Sequence, residues 1–436
     1  MIATSAVSDN PNMRPSLPKE QPLRVAYVMQ NAGNDLSEDV GQAILIKHKI
    51  RGLQQAGHDV SIFRLRGRSV VKIDDLNDMA HVSTIPLGFS NSGLFKFAES
   101  GVRRLQRELK LPYFAFIDSF RFYEACSRFL ADYDLCHEYG GLFSLGAALA
   151  CRRLRIPYVL TAEADALLEN AVRGTPLRGI HAAVAKREAR VTYRLANKIV
   201  TVSEPARQHL IKHWQVDADK IVVMPNGVDT ELFHPHYDPN PVRAELGLGN
   251  APVVGFVGGF QAWHGLDRLI SSFSHILREV PDARLLLVGD GPIRSQIERQ
   301  AAALGIQTAV TITGFIPQAR VPQMLAAIDV AVLPYPRLPQ ELWFSPLKLY
   351  EYMAAGKAIV ASGTGQLAQV IRSGHNGLLV GSDDNAAFTR SLVALLQAPQ
   401  ERQRLGDNAR QQVLEQHSWK QYIDSLEAVY HAVLSK

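Results

Sequence analysis

The chain has only three cysteines, Cys126, Cys136 and Cys151, in 436 residues. Their spacing fits neither a metal-ligand pattern nor a paired framework. That argues against a zinc-bound or disulfide-stapled fold, and three reduced thiols in a cytoplasmic protein are expected. The opening MIATSAVSDNPNMRPSLPKEQP lacks a basic segment followed by an apolar run, so it does not read as a secretion signal. A polar, proline-dotted tail over 1–21 is expected instead. Nowhere do about 18 uninterrupted apolar residues occur, so no spanning helix is expected. Helix-turn-helix, zinc-finger and aromatic RNP patterns are missing too, and no nucleic-acid partner is expected. A nicotinamide dehydrogenase would show G-x-G-x-x-G after its first strand and an acid about 20 residues on. Here only QNAGNDLSEDVG follows Met29.

What is present is globular in character: 47% hydrophobic residues, 20% charged, 31 Gly and 23 Pro, which argues against a long disordered chain. The length suits two domains. A net charge of +5 inclines the protein towards anionic ligands or an anionic surface.

Leu23–Met29 (LRVAYVM) is an apolar run bounded by Pro22 and a polar loop, and reads as a buried parallel strand. Gly41 opens an amphipathic segment that Gly57 stops, and Asp59–Leu65 is the next strand. Strands are expected again at Asp134–His137, Pro157–Ala162, Lys198–Val202 and Lys220–Met224, with helices at Leu142–Leu154 and Gly179–Asn197. MPNGVD at Met224–Asp229, with prolines up to Pro241, reads as a linker. The alternation then restarts, with strands at Val253–Val257, Arg284–Val288, Val310–Thr313, Val330–Leu333 and Ala358–Ala361 and helices between and after them. Alternation of this kind implies parallel sheets covered on both faces, and two Rossmann-like halves. The stretch Leu94–Leu130 is basic and aromatic, with Arg103, Arg104 and Arg107 at helical spacing beside Leu105. It reads either as a basic amphipathic helix lying on an anionic membrane or as an ordinary surface helix.

In open parallel sheets, ligands bind beyond the carboxyl ends of the strands. Gly258 and Gly259 leave one such strand, and His264-Gly265 precede the next helix. Adjacent glycines let a backbone approach a phosphate, the helix N-terminus favours its charge, and His264 could donate a hydrogen bond to it. The alternative is a plain turn whose histidine caps the helix. In Phe344–Lys357, Ser345 is a candidate N-cap and Pro346 suits the first helical position, so the first turn offers free amides to a diphosphate. Glu351, about two turns in, could hold both hydroxyls of a ribose. Glu163, with Asp165 nearby, ends a predicted strand and could orient an acceptor hydroxyl or take its proton, or serve as a surface acid. His137 and Glu138 end another, where a lone histidine is more often structural than a ligand.

SPLKLYEYMAAGKAIVAS, followed by G-x-x-G-L-L-V at Gly374–Val380, resembles the C-terminal signature of family 4 of the retaining glycosyltransferases. TVSE at Thr201–Glu204, MPNGVD, LLVGDGP at Leu286–Pro292 and Gly314-Phe315-Ile316-Pro317 match the family in order and spacing. The resemblance runs from about Leu23 onward and is strongest from Thr201 to Val380. It implies a GT-B fold: an acceptor-binding Rossmann-like domain over 22–228 and a nucleotide-sugar-binding one over 229–415, facing each other across a cleft. Residues 416–436 would form a helix packing back on the first domain. It implies a metal-independent, retaining transfer of sugar from a nucleoside-diphosphate sugar to a glycan or lipid-linked acceptor, with no cofactor and no metal site. Glu351 matches the ribose-binding residue. Ser345, Pro346 and Leu347 match the backbone against phosphate and sugar, and Phe315 and Ile316 would lie against the base. Gly41 falls at the N-terminal glycine loop, and Gly289 joins the donor site. Acceptor contacts would come from His137, Glu138, Glu163 and Asp165.

The chain also departs from that pattern. Gly259 and His264 stand where the family often has Arg and Lys, Trp343 stands eight residues before Glu351 where it has a second Glu, and Glu163 replaces a His. A phosphate set of His264 with Lys348 is implied, with Glu163, His264 and Lys348 as catalytic candidates. The competing reading is a non-catalytic nucleotide-sugar or glycan-binding homologue, which donor hydrolysis would distinguish.

Overall fold

The computed structural model describes residues 21–30, 36, 41–78, 81–108, 116–163, 165–172, 175–338 and 345–435. The tail expected over 1–21 lies outside them except for Gln21, as do most of the loop after Met29 and the motif positions Glu341, Trp343 and Phe344.

Among the described residues, fourteen strands form two sheets. The first contains β1 (Arg24–Met29), β2 (Asp59–Arg66), β3 (Ser69–Ile73), β4 (Ser83–Thr84), β5 (Leu135–Tyr139), β6 (Tyr158–Thr161), β7 (Lys198–Thr201) and β8 (Ile221–Val223). Its order is β4-β3-β2-β1-β5-β6-β7-β8, parallel except where β3 pairs with β2 and with β4. The second contains β9 (Val253–Val257), β10 (Arg284–Val288), β11 (Val310–Ile312), β12 (Val330–Leu333), β13 (Ala358–Ser362) and β14 (Leu378–Val380). It is wholly parallel in the order β11-β10-β9-β12-β13-β14. The order reverses beside β1 and beside β9, and a crevice opens at such a point.

The apolar runs form these strands because both faces are covered. In β9, Val254 and Phe256 pack towards Leu266, Ile270 and Phe273. Val253 and Val257 pack on the other face, towards Ile328, Leu349 and Tyr352. A Cβ on Gly255 would lie 2.2 Å from Ile328 Cδ1, so the strand needs glycine there. Cys136 in β5, and Cys126 and Cys151 on helices packed against the first sheet, are all buried and unbridged.

Several elements differ from the sequence expectation. β3 and β4 form an antiparallel edge, entered by a turn at Gly67 with φ +62°. A helix Glu204–Trp214, capped by the Ser203 hydroxyl, fills the span between β7 and β8. The helix expected from Leu142 starts only at Gly146, after Phe143 takes a φ of +58°. Leu94–Leu130 resolves into two helices, Gly93–Glu108 and Phe116–Phe129.

The helix Trp419–Leu434 opens with a capping box of Ser418 and Gln421. It packs on the helix Gly41–Gln55 of the first sheet, so close that a Cβ on Gly52 would lie 2.5 Å from Ile423 Cγ1. Two segments therefore cross between the sheets side by side. The Val228 amide donates to the His417 carbonyl at 2.9 Å, and the Trp419 amide to the Val228 carbonyl at 3.3 Å. Among the described residues no helix is long and apolar enough to cross a membrane.

Candidate active site

The loops after β9, β10 and β12 meet at the carboxyl end of the second sheet. Gly258 has φ +133° and Gly289 φ +134°. A Cβ on Gly289 would sit 2.2 Å from the Gly258 carbonyl oxygen, and one on Gly258 only 2.9 Å from Lys348 Cε and Nζ. Two glycines thus let the loops close and leave room for one lysine.

Lys348 lies in the first turn of the helix Leu347–Ala354. Ser345 is not its N-cap as expected: Pro346 holds that position with extended backbone, and no side chain caps the helix. The Ser345 hydroxyl instead accepts the Asn226 amide at 3.2 Å, and its carbonyl accepts Asn226 Nδ2 at 2.9 Å. That ties the loop to the segment joining the two sheets. The first amides of the helix have no intrahelical acceptors, and the helix dipole adds partial positive charge there.

Burial drops the Lys348 amine to about 7, against the opposing pull of Glu351. Its Nζ lies 4.5 Å from the Phe256 ring centroid and 3.3 Å from His264 Nε2. His264 Nδ1 is 2.6 Å from the Gly259 carbonyl oxygen, which can only accept, so Nδ1 carries the proton. Burial first, and then Lys348, hold His264 well below its usual value and keep it neutral. Its Nε2 lone pair therefore faces Lys348. This corrects the expectation that His264 donates to a phosphate: it positions Lys348 instead.

Glu351 follows one turn after Lys348, and burial raises its carboxyl. Gln318 Nε2 donates to it at 3.3 Å. Gln318 follows Phe315, which is exposed, and Ile316, which packs partly into the core. The structure thus brings Glu351, Phe315 and Ile316 to one edge of the crevice. Gln318 was missed; its signal was a polar residue directly after Gly-Phe-Ile-Pro. On the opposite side Gly41 begins its helix, and a Cβ there would be 3.9 Å from Leu347 Cδ1. The cleft is that narrow at this point.

The acceptor candidates fare differently. Glu163, after β6, binds Lys49 Nζ at 2.7 Å through Oε1 and the Tyr139 hydroxyl at 2.8 Å through Oε2. Lys49 is fully buried; burial opposes its charge, but Glu163 together with Tyr422 and Tyr27 outweighs that and holds the amine above its ordinary value. Lys49 was also missed. Its place beside Ile46, Ile50 and Leu53 on the apolar face of its helix was the available signal.

His137 and Glu138 do not reach the cleft. β5 runs two residues further than expected and carries both into the core. His137 is neutral, pushed down to about 3 by burial and by Lys49, with Nδ1 2.6 Å from the Tyr430 hydroxyl and Nε2 2.7 Å from Thr161 Oγ1. It fastens the helix Trp419–Leu434 to the sheet. Glu138 is raised to about 8 by burial and accepts the Tyr158 hydroxyl at 2.5 Å. Asp165 is also structural. It accepts His209 Nε2 at 2.8 Å, Trp214 Nε1 at 2.7 Å and the amides of Leu167 and Leu168, which leaves little room for an acceptor.

A small open pocket does lie beside these residues, lined by Gly141, Ser144, Ala162, Glu188 and Tyr193. Glu188 Oε2 is buried there without a hydrogen-bond partner, and burial raises its carboxyl. Nothing in the sequence of the helix Gly179–Leu195 sets Glu188 apart from its other polar residues. Among the described residues no group of three or more His, Cys, Asp or Glu could hold a metal ion.

Two Rossmann-like sheets with a lysine-bearing helix N-terminus in the crevice between them define a GT-B glycosyltransferase. Comparison with known proteins agrees. Residues 41–232 match the model described as Glycosyltransferase Family 4, and residues 240–412 the one described as Glycosyl transferases group 1. The D-inositol 3-phosphate glycosyltransferase of Frankia alni is 30% identical over 64% of this chain and 69% of its own length. That of Nocardia farcinica is 31% identical over 61% of this chain, but the match spans only 59% of the Nocardia enzyme. Anabaena HepE, solved in complex with UDP-glucose, superimposes with a TM-score of 0.66 at 18% identity, covering 94% of this chain and all of HepE. The chain belongs to the family 4 glycosyltransferases.

Proposed function

We propose that the protein moves a sugar from a nucleoside-diphosphate sugar to a hydroxyl of a glycan or lipid-linked acceptor in the cytoplasm, with retention at the anomeric carbon and without a metal. The observation that carries this is the seating of Lys348, a buried amine at a helix N-terminus between Gly258 and neutral His264. An anion entering there meets an ammonium and free amides in a site of low dielectric. The diphosphate would lie against Gly258, Gly259, Gly289 and the Leu347 and Lys348 amides. Glu351 would take the ribose hydroxyls, and Phe315 and Ile316 the base. HepE, of the same fold, binds a donor of this class.

As the glycosidic bond breaks, charge grows on the departing phosphate, where Lys348 stabilises it most. The acceptor hydroxyl approaches on the same face and passes its proton to that phosphate oxygen. Both Glu163 oxygens already hold donors, so the Glu163–Lys49 pair shapes the acceptor side of the cleft rather than acting as the base. Glu188 Oε2, in its pocket, is the acceptor-hydroxyl ligand on this reading.

The test is a thermal-shift panel of UDP-, GDP-, ADP- and dTDP-sugars on wild type and Glu351→Gln. A ligand at about 100 times its Kd adds about 2.7 kcal/mol to apparent stability. One nucleotide class should stabilise the wild type and do so less in the variant, and turnover with that donor should survive a chelator. No shift from any donor would overturn the reading.

A further inference from the structure

The helix Gly93–Glu108 is turned inside out. Its polar residues point into the domain, where Glu99 and Gln106 are buried. Glu99 accepts from the buried Arg121 and from Arg103 Nε at 2.7 Å. Arg121 Nη1 also reaches Asp118 at 3.1 Å, Arg103 Nη2 the same oxygen at 3.4 Å, and Arg68 pairs with Glu99 at 3.4 Å. Arg103, read from sequence as part of the basic face, is thus spent inward. The apolar residues point outward: Leu94 is 74% exposed, Phe97 80% and Leu105 57%. Positions 94, 97, 101 and 105 follow steps of three and four, so they form one stripe along the helix.

The stripe continues past the helix. Phe89 and Phe120, both exposed, lie 6.3 Å apart, and each packs on Phe95. Cations edge the stripe. Arg104 and Arg107 are exposed on the same helix, and Arg128, half-exposed, lies next to Gly88 beside Phe89. Glu108 is the exposed acid of this helix, and Arg104 Nε holds it at 2.9 Å. Large apolar side chains outside and ionised ones inside suit a helix whose outer neighbour is itself apolar. A cationic edge selects an anionic neighbour. A second copy of this chain would bring the same cations against themselves, at a cost.

We propose that this helix docks the protein on an anionic lipid bilayer, with Leu94, Phe97 and Leu105 entering the acyl boundary and Arg104 and Arg107 meeting headgroup phosphates. The docking face is linked to the cleft. Ser119, next to Asp118 of the ion network, accepts the Leu145 amide through its hydroxyl at 3.0 Å. Leu145 ends the loop leaving β5, at the carboxyl end of the first sheet. Docking therefore sets that end of the sheet at the bilayer. The proposal does not depend on the donor reading.

The test is co-sedimentation of the full chain with phosphatidylcholine vesicles and with phosphatidylcholine–phosphatidylglycerol vesicles. The wild type should partition to the anionic vesicles only, and less as salt rises. Each basic side chain near such a surface contributes roughly a fivefold factor, so Arg104→Glu with Arg107→Glu should cut partitioning more than tenfold. Phe97→Glu with Leu105→Glu should abolish it, with an unchanged melting temperature because both sites are exposed. A Phe97→Trp reporter should shift its emission to the blue on anionic vesicles. A wild type that ignores anionic vesicles, an apolar double variant that still binds, or a reporter that stays put would overturn the proposal. So would a wild-type dimer that the apolar variant dissolves without any vesicle binding.

Discussion

Below about pH 7 the Lys348 amine is charged, and above it burial strips the proton. A bound diphosphate favours the charged form, so the amine's value rises in the complex and binding takes up a proton. The sign follows: donor affinity is full on the acid side and falls as pH climbs through about 7, by at most tenfold per pH unit. A nucleotide-sugar has no titration of its own in that window, and His264 stays neutral throughout. Calorimetry of the stabilising donor in two buffers of different ionisation enthalpy should show proton uptake at alkaline pH for the wild type. Lys348→Met should bind more weakly and show none; equal uptake in that variant would assign the proton elsewhere. At this scale the sequence was legible where a residue's neighbours announced its role. Glu351 stands among apolar residues of a helix, and a carboxylate there needs a reason. Lys49 hid inside a Lys-His-Lys run that reads as solvent-facing, although its phase with Ile46 and Ile50 placed it inward. For His137 and Glu138 the sequence left both a structural and an acceptor role open, because two residues of strand length decide whether a side chain meets the cleft or the core.

Strands buried on both faces wrote themselves as unbroken apolar runs, and so β1, β9, β10, β12 and β13 could be read directly. The edge strands β3 and β4 could not, because an antiparallel edge depends on what it pairs with. The helix Gly93–Glu108 stayed ambiguous for a better reason: its pattern is amphipathic with the usual inside and outside exchanged. The contact between the helices Gly41–Gln55 and Trp419–Leu434 is tight enough to test. With Ile423 Cγ1 only 2.5 Å from where a Cβ on Gly52 would sit, Gly52→Val must push the later helix off its seat. Overpacking of this kind costs about 1–3 kcal/mol. The melting temperature should fall, and limited proteolysis should cut first within residues 419–434. Wild-type resistance in the variant would mean that the helices can slide apart without loss.

Several contacts pin the two halves to each other. Asn226 grips the Ser345 hydroxyl and carbonyl, Gln366 Nε2 donates to the Val202 carbonyl at 2.9 Å, and Val228 lies beside Ser418. The Asn226 contacts hold the loop that delivers Lys348, so the junction and the donor site share a support. Asn226→Ala keeps the backbone bond to the Ser345 hydroxyl and removes the side-chain bond to the Ser345 carbonyl, worth about 1 kcal/mol. It should weaken donor binding by up to about fivefold while the melting temperature without ligand drops little; unchanged donor affinity would separate the junction from the site. The side-by-side crossing of the chain also bears on how the molecule is made. The apolar face of Gly41–Gln55 emerges early in synthesis, but Ile423, Leu426 and Tyr430, which cover it, are translated after the whole second sheet. The first domain to leave the ribosome must therefore wait with part of its core open, which makes the nascent first half a natural client for a chaperone until residues 419–434 arrive.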